Sequence, residues 1–325
     1  MTSLTRRQLL VGSSALAAGA LLAPHVGWAK AAQPSPLRVW RYKGSAASYL
    51  ELAGQADTPY PVEWVDIGGG NLVLEALNSG ALDYAFMSEI PPIFGAIAQV
   101  PLALVAVFKG DNNDSGVVVR KAAGIRTVAD LRGKKVSYVR ATNTHYFVLN
   151  MLRQNGMTLD DVQAIPLSMQ DSLTAFRSGH LDAIAVGGIS ALQAVSEMDG
   201  LMLENVSRYY SGNYLIATTA AVLADPQRTA QLGDFLLREK ATWAWVEANP
   251  EGWAQRSAVL TGIRRELYLE QFQRRSQPAQ LVCVDEQAIA AQQRVADAFY
   301  TNHLIRQPVD VRPLWHSNFT YLLNS

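Results

Sequence analysis

From residue 37 onward, short apolar or β-branched runs alternate with longer helical patterns, as in βαβ units with parallel strands. Strands are predicted for the runs at 37–41, 62–66, 82–87, 102–108, 135–139, 164–167 and 182–186. Polar side chains that can cap a first helical turn stand at Asn71 before 72–78, at Thr127 before 128–131, and at Ser168 or Asp171 before 172–177. The pattern therefore predicts an α/β fold.

One unit of helix, glycine and strand occurs twice in the chain. Residues 74–83 read LEALNSGALD and residues 173–182 read LTAFRSGHLD, and an apolar strand follows each copy. Gly80 and Gly179 stand where a helix can end in the left-handed conformation. Two matching copies favour two lobes of like construction, and the alternatives are a chance match or an α/β array within one domain.

After residue 214 the pattern becomes mostly helical. One more strand is predicted for 215–223, and helical patterns follow at 227–248, 251–260, 264–274 and 285–300. A helix-rich tail usually packs back on the first lobe, which makes the strands near 117–120 and 214–219 the crossings between lobes. We therefore expect lobe I to comprise residues 35–119 and 217–325, and lobe II to comprise residues 120–216.

Residues 1–31 have the charged, apolar and small-residue order of a secretory signal. Arg6 and Arg7 precede an apolar stretch at 9–23, and Ala29-Lys30-Ala31 resembles a cleavage site. The stretch is shorter than the roughly 20 residues of a membrane-spanning helix. Because the paired arginines favour the twin-arginine export route, we expect a periplasmic mature chain cleaved near Ala29 to Ala31. An uncleaved membrane anchor is the alternative.

Composition excludes several classes of function. The 325 residues carry 28 basic and 28 acidic side chains, so the basic surplus that nucleic-acid binding requires is absent from the sequence. Cys283 is the single cysteine, and the five histidines lack metal-ligand spacing. The sequence also contains no G-x-S-x-G elbow, Walker loop or G-x-G-x-x-G fingerprint. We therefore expect no metal, no cofactor and no nucleic-acid partner.

Five segments together match a known family. They are Tyr42-Lys43-Gly44-Ser45, residues 74–83, Glu89-Ile90-Pro91-Pro92-Ile93-Phe94, residues 127–136, and Thr144-His145-Tyr146. They resemble the aliphatic sulfonate-binding proteins, which belong with nitrate- and taurine-binding relatives among the substrate-binding components of ABC importers. The resemblance implies a two-lobed type II periplasmic binding fold, in which each lobe is a mostly parallel sheet flanked by helices and the ligand lies in the cleft between lobes.

The resemblance also implies where a ligand binds. Helices are expected to begin at Gly44-Ser45 in the first lobe and at 142–145 in the second. Helix N-termini present unpaired backbone N–H groups and a positive dipole end, and such ends can hold an oxyanion between the lobes. The candidate ligand contacts are Gly44, Ser45, Ser88, Glu89, Thr142, Asn143, Thr144, His145, Gly187, Gly188, Asn213 and Tyr214. A carboxylate at Glu89 indicates an amine, hydroxyl or amide on the ligand, or else a cap for the helix after Pro91. Packing or capping is the alternative for His145, and hinge packing is the alternative for Asn213 and Tyr214.

The chain departs from the family after the strand near 183–186. It reads Gly187-Gly188-Ile189-Ser190 where many members carry Trp-Asp-Pro-Tyr, which indicates a larger or differently shaped ligand. Core and lobe packing are expected for Trp243, Trp245 and Trp253, with ligand stacking as the alternative.

Capture of a small oxyanion such as an aliphatic sulfonate is the expected function, with an ABC permease as partner and a monomeric chain without catalysis. One alternative is an enzyme of the thiamine-pyrimidine-synthase-like branch, whose members use cysteine- and histidine-rich sites. The other alternative is an extracytoplasmic ligand sensor.

Overall fold

The computed structural model describes residues 35–67 and 71–324, so the expected signal segment at 1–31 and the glycine run at 68–70 lie outside the described residues. The strands are β1 Leu37–Trp40, β2 Val62–Val65, β3 Ala85–Ser88, β4 Leu102–Lys109, β5 Gly116–Arg120, β6 Lys135–Tyr138, β7 Gln163–Pro166, β8 Ala183–Val186, β9 Gly200–Asn205, β10 Tyr214–Thr219 and β11 Gln280–Val282. The helices are α1 Asn71–Asn78, α2 Pro91–Ile97, α3 Asn143–Gln154, α4 Met169–Arg177, α5 Ile189–Glu197, α6 Ala220–Ala224, α7 Pro226–Ala248, α8 Pro250–Thr261, α9 Arg265–Gln273, α10 Glu286–Thr301 and α11 Thr320–Asn324. Short 3-10 helices occur at Ala46–Ser48, Lys121–Ala123, Val128–Leu131, Leu159–Asp161, Val206–Arg208 and Arg312–Leu314.

The strands form two sheets. The first has the order β11-β4-β10-β3, and the parallel pair β1-β2 joins it through a bridge between Val39 and Tyr84. The second has the order β7-β6-β8-β5-β9. In the second sheet β6, β7 and β8 are parallel, whereas β5 runs antiparallel to β8 and β9. In the first sheet β10 is antiparallel to β3 and β4. Both sheets are therefore mixed and not mostly parallel as expected, because β10 and β11 run antiparallel to their neighbours in the first sheet and β5 does so in the second.

The chain crosses between the sheets before the strands that were expected to make the crossings. Strand β5 pairs along its length with the second sheet, and β10 pairs along its length with the first. The crossings are consequently the segments 110–115 and 206–213. The expected lobe boundaries at 119/120 and 216/217 each fall inside a strand of one sheet.

Side-chain caps fix several element ends. Thr127 is the N-cap of Val128–Leu131, as predicted, and Asp130 accepts its backbone N–H at 2.9 Å in a capping box. The Ser168 hydroxyl accepts the N–H of Asp171 at 3.1 Å, so Ser168 is the cap of α4. Thr219 accepts the N–H of Val222 at 3.3 Å and begins α6. The expected strand at 215–223 is therefore wrong beyond residue 219.

The repeated unit is confirmed in three dimensions. Gly80 (φ +71°) follows α1 and Gly179 (φ +79°) follows α4, so both adopt the predicted left-handed conformation. The aspartate that ends each copy accepts a backbone N–H at 2.9 Å, with Arg38 as the donor to Asp83 and Lys135 as the donor to Asp182. The two copies thus attach helix and strand to each sheet by the same contact.

Helix α10 joins the two halves on one side of the protein. Phe299 of α10 lies 6.1 Å, centroid to centroid, from both Tyr146 of α3 and Phe94 of α2. The other face of the first sheet is covered by α7 through Phe235 and its neighbours, and α4 and α5 pack on the second sheet. Within 35–67 and 71–324, none of the helices combines the length and the apolar character that crossing a bilayer demands.

Candidate ligand-binding site

A cavity of about 260 Å³ lies where the two halves face each other. Lys43 and Gly44 line it after β1, and Ile189 lines it at the start of α5. The rest of the wall comes from Tyr49 and from α7, α8 and α9 through Trp243, Trp253, Ser257, Leu260, Thr261, Tyr268 and Gln271. Because β1 and α5 belong to different halves, a molecule in this cavity contacts both of them.

Aromatic side chains form much of the wall. Trp243 is 7% exposed and packs against Phe108 (4.8 Å between centroids) and Tyr49 (6.2 Å). Trp253 meets Tyr268 edge-on at 5.5 Å. The expected core packing of Trp243 is confirmed, and the same ring also lines the cavity. Such a wall can bury the apolar part of a small ligand.

Gly187 and Gly188 let the start of α5 approach the first half closely. The Ser115 hydroxyl accepts the N–H of Gly188 at 3.2 Å. Gly188 has φ +59°, and a β-carbon there would lie 3.5 Å from Nε2 of Gln271 on α9. Only glycine adopts this backbone conformation without strain. Without side chains, the pair lets the start of α5 lie against Ser115 and α9.

Asp114 and Gln271 connect the 110–115 crossing to α9. Gln271 Nε2 donates to Asp114 Oδ2 at 2.5 Å, and the Ser115 hydroxyl donates to Oδ1 at 3.2 Å. Burial raises the pKa of the Asp114 carboxyl above its ordinary value, although these two hydrogen bonds oppose the shift. This contact positions the part of α9 that borders the cavity.

The expected helix start at Gly44 and Ser45 is a tight turn followed by the 3-10 helix Ala46–Ser48. The Gly44 N–H donates to the Ser48 hydroxyl at 3.0 Å, and the Ser45 hydroxyl donates to the Tyr42 carbonyl at 2.8 Å. Serine side chains that bond to nearby backbone groups compete with helix formation. A helix therefore does begin at Ser45, but only as a three-residue 3-10 helix, and Gly44 lines the cavity.

Residues Thr142, Asn143 and Thr144 organise the loop between β6 and α3. Thr142 Oγ1 donates to the Val139 carbonyl at 2.7 Å, and Thr144 Oγ1 accepts the Val139 N–H at 3.0 Å. The Asn143 side chain accepts the N–H of Thr144 at 2.9 Å. Their polar atoms thus hold the start of α3, and they are not part of the wall of the 260 Å³ cavity.

His145 is buried, with 3% of its surface exposed. Its ring stacks on Tyr138 at 4.5 Å, and Nδ1 accepts the N–H of Ala141 at 3.2 Å. Burial, together with the nearby Arg140, lowers the pKa of His145 to about 4, so the ring is neutral at pH 7. In that neutral form Nε2 carries the proton, and it has no hydrogen-bond partner among the residues that the structure describes.

Ser88 and Tyr214 face each other at the end of the first sheet, where β3 pairs with β10. The Tyr214 ring stacks on Phe86 at 4.9 Å. Glu89 is fully buried, and its carboxylate accepts bonds from Asn213 Nδ2 (3.1 Å) and from the Ser211 hydroxyl (2.5 Å). Glu89 and Asn213 therefore bind each other and join β3 to the 206–213 crossing. The capping alternative for Glu89 is wrong, since the N-cap of α2 is Ile90 and has no side-chain cap.

Glu89 makes stability depend on pH. Burial raises its pKa from 4.5 to about 7, against the opposing effect of Ser211, Asn213 and Arg294. Because the native state then binds more protons than the unfolded state between pH 4.5 and 7, stability falls as pH rises through that window. We expect Glu89→Gln to gain about 2 to 3 kcal/mol relative to the wild type between pH 5 and pH 8. Urea unfolding at both pH values measures this gain, and Glu51→Gln, at an exposed position, is the control that leaves the pH dependence unchanged.

A family model described as NMT1/THI5 like matches residues 62–252. The chain belongs to the NMT1/THI5-like family. It is 30% identical over 306 residues to an aliphatic sulfonates-binding protein of Escherichia coli strain K12, an alignment that covers 88% of this chain and 90% of the relative. The predicted resemblance to substrate-binding proteins is thereby confirmed.

Solved structures of similar proteins show the fold of this family member. The periplasmic aliphatic sulphonate-binding protein SsuA from Escherichia coli has a TM-score of 0.78 at 27% identity, over 86% of this chain and 91% of that chain. The alkanesulfonate-binding protein SsuA from Xanthomonas axonopodis pv. citri, bound to MOPS, has a TM-score of 0.78 at 25% identity, over 88% and 100%. The two-lobed periplasmic binding fold and the solute-binding role are confirmed.

Several residues of the cavity wall, and others that contact the wall or the start of α5, were not predicted from the sequence: Tyr268 and Gln271 line the cavity, Asp114 bonds to Gln271, and Ser115 bonds to Gly188. Asp114 and Ser115 had a usable signal, because they directly precede a strand that was expected to cross between lobes. Gln271 and Tyr268 lie on a helix whose packing only the tertiary structure reveals. Within the described ranges, histidine, cysteine, aspartate and glutamate do not gather into a group of three or more that could hold a metal ion.

Proposed function

We propose that this family member is the exported solute-binding component of an ABC importer and captures a small sulfonate or related oxyanion. The observation that carries the proposal is the composition of the 260 Å³ cavity, whose wall combines Gly44 of one half with Ile189 of the other. A ligand in that position contacts both halves, and its binding therefore favours the arrangement in which they are close together.

The wall offers complementary chemistry to an alkanesulfonate. Helix α5 begins at Gly188 and Ile189, so its first N–H groups and its positive dipole end lie beside the cavity. Lys43 lines the cavity and adds a positive charge, while the tryptophans supply apolar surface. We assign Gly44, Gly187 and Gly188 as ligand contacts.

The remaining candidates divide by position. We place Ser88 and Tyr214 at the margin of the site, at the end of the first sheet. Supporting roles are assigned to Ser45, Glu89, Thr142, Asn143, Thr144, His145 and Asn213, whose polar groups are largely used within the loops and crossings that flank the site. The segments 110–115 and 206–213 are the proposed hinge between lobes.

Delivery to a membrane permease from the periplasm completes the proposal. Sulfonate-binding relatives that are periplasmic support this location, and the paired Arg6 and Arg7 support twin-arginine export with cleavage near Ala29 to Ala31. We propose a monomer that binds without catalysis. Binding-protein relatives support that role, and Cys283, which contacts Asn324, is not part of the cavity wall.

Thermal stability of the mature chain tests the ligand class. A ligand that binds only the folded protein adds about 2.7 kcal/mol of stability at a concentration one hundred times its Kd. We expect short alkanesulfonates to raise the melting temperature, and the alcohols of the same chain length, which lack the anion, to leave it unchanged. A shift with neutral or aromatic compounds but with no sulfonate or sulfate ester contradicts the proposed ligand class.

A further inference from the structure

A second cavity, of about 390 Å³, lies between the facing sides of α3 and α10, and we call it the α3–α10 groove. On the α3 side the groove is lined by Tyr146, Asn150 and Arg153. On the α10 side it is lined by Arg294 and Asp297. Arg208 also lines the groove, and it belongs to the 3-10 helix Val206–Arg208 in the 206–213 crossing. The groove shares no described residue with the wall of the ligand cavity.

Three guanidinium groups define the charge of the groove. Arg153, Arg208 and Arg294 are exposed, and within residues 35–67 and 71–324 none of them forms an ion pair with a carboxylate. Most other arginines in those ranges do form such a pair. The carboxylate that lines the groove, Asp297, accepts a hydrogen bond from Gln293 at 2.8 Å. The groove therefore carries an excess of positive charge in a chain whose net charge is zero.

All three arginines line a cavity together with Tyr146. Burial raises the pKa of the Tyr146 hydroxyl, and Arg294 and Arg153 lie close enough to oppose that shift. Arg208 and Arg294 also line, with Tyr146, an adjoining cavity of about 220 Å³. The guanidinium groups thus come from a helix on the second sheet, from a crossing segment and from the helix that joins the two halves.

We propose that the α3–α10 groove is a second binding site, for a small multivalent oxyanion of which inorganic phosphate is the simplest. Guanidinium groups present paired N–H donors that match the oxygens of phosphate, and several of them together satisfy more than one negative charge. Because Arg153 lies on α3 of the second half and Arg294 lies on α10, an anion held between them strengthens the contact by which α10 joins the halves, at a distance from the ligand cavity.

Arginine side-chain resonances report occupancy of this site directly. Inorganic phosphate is titrated at constant ionic strength into mature protein labelled with ¹⁵N in arginine, and the Nε–Hε signals are followed. We expect the signals of Arg153, Arg208 and Arg294 to shift together along one saturable curve. Those of Arg177 and Arg306, which lie elsewhere, are expected to remain in place. Equal, non-saturating shifts of all five signals overturn the proposal.

Substitution separates a site from general positive charge. Arg208→Gln is expected to weaken phosphate binding about tenfold, the equivalent of about 1.4 kcal/mol. Arg208→Lys keeps the charge but loses the paired donors, and we expect it to recover only part of the affinity. Arg306→Gln is the matched control and leaves binding unchanged. Full recovery with lysine, or binding of acidic peptides without binding of phosphate, overturns the proposal.

Discussion

Replacing Asp83 by asparagine lowers the free energy of unfolding by about 3 to 5 kcal/mol, the cost of breaking a buried ion pair. The Asp83 side chain is completely buried. Its carboxylate accepts bonds from the Arg38 guanidinium at 2.6 and 2.9 Å and from Arg228 at 2.7 Å. An amide carries no charge to balance these two cations. The loss is measured as the change in urea-unfolding free energy.

Asp182→Asn is the matched control, because Asp182 occupies the same position in the second copy of the repeat. It also accepts a backbone N–H at 2.9 Å, but its side chain is 24% exposed and its arginine partner, Arg120, lies at 3.4 Å. Partly solvated pairs contribute about 1 kcal/mol or less. Equal losses for the two variants show that the backbone contact, and not the buried ion pair, determines the stability.

Replacing Gln271 by glutamate weakens sulfonate binding about 10- to 100-fold. The change places a carboxylate 2.5 Å from Asp114 and on the wall of the ligand cavity, where both the neighbour and the ligand are negative. Two like charges at about 4 Å repel by roughly 4 kcal/mol near a protein surface before they relax apart or bind a proton. Isothermal titration calorimetry with an alkanesulfonate measures the loss.

Gln273→Glu controls for charge on the same helix. Gln273 is exposed and lies two residues further along α9. The substitution Gln273→Glu therefore adds the same charge without touching Asp114. We expect the alkanesulfonate affinity of this variant to stay within about twofold of the wild type, because exposed charges are screened by solvent and salt. If both variants lose affinity equally, the contact between Gln271 and Asp114 does not position the site.

Much of the fold followed from local pattern. The predicted repeat identified Gly80, Gly179 and the two aspartates because a left-handed helix end and a strand start have distinctive residues. Strands β9 and β11 and helix α5 were not predicted. Strand β9 reads GLMLEN, an apolar run without clear alternation, and it becomes a strand because β5 offers it a partner. Tertiary pairing of this kind is not encoded in a short window of sequence.

The site was predictable only in part. Loops at the ends of strands could be located, and among the candidates chosen in this way Gly44 lines the cavity and Gly188 directly precedes Ile189 of the wall. Hydrogen-bond direction could not be predicted, so Ser45 and Thr142 looked like free donors although their hydroxyls are bonded to nearby carbonyls. The contribution of α8 and α9 depends on how those helices fold back over the first half, which no motif specifies.

The position of a bound ligand tests the account most directly. A crystal of the mature protein grown with a bromoalkanesulfonate gives an anomalous bromine signal that marks the ligand independently of any model. We predict that signal between Gly44, Ile189 and Gln271, with the sulfonate at the start of α5. A well-occupied signal outside this cavity, or an empty cavity at saturating ligand, contradicts the account.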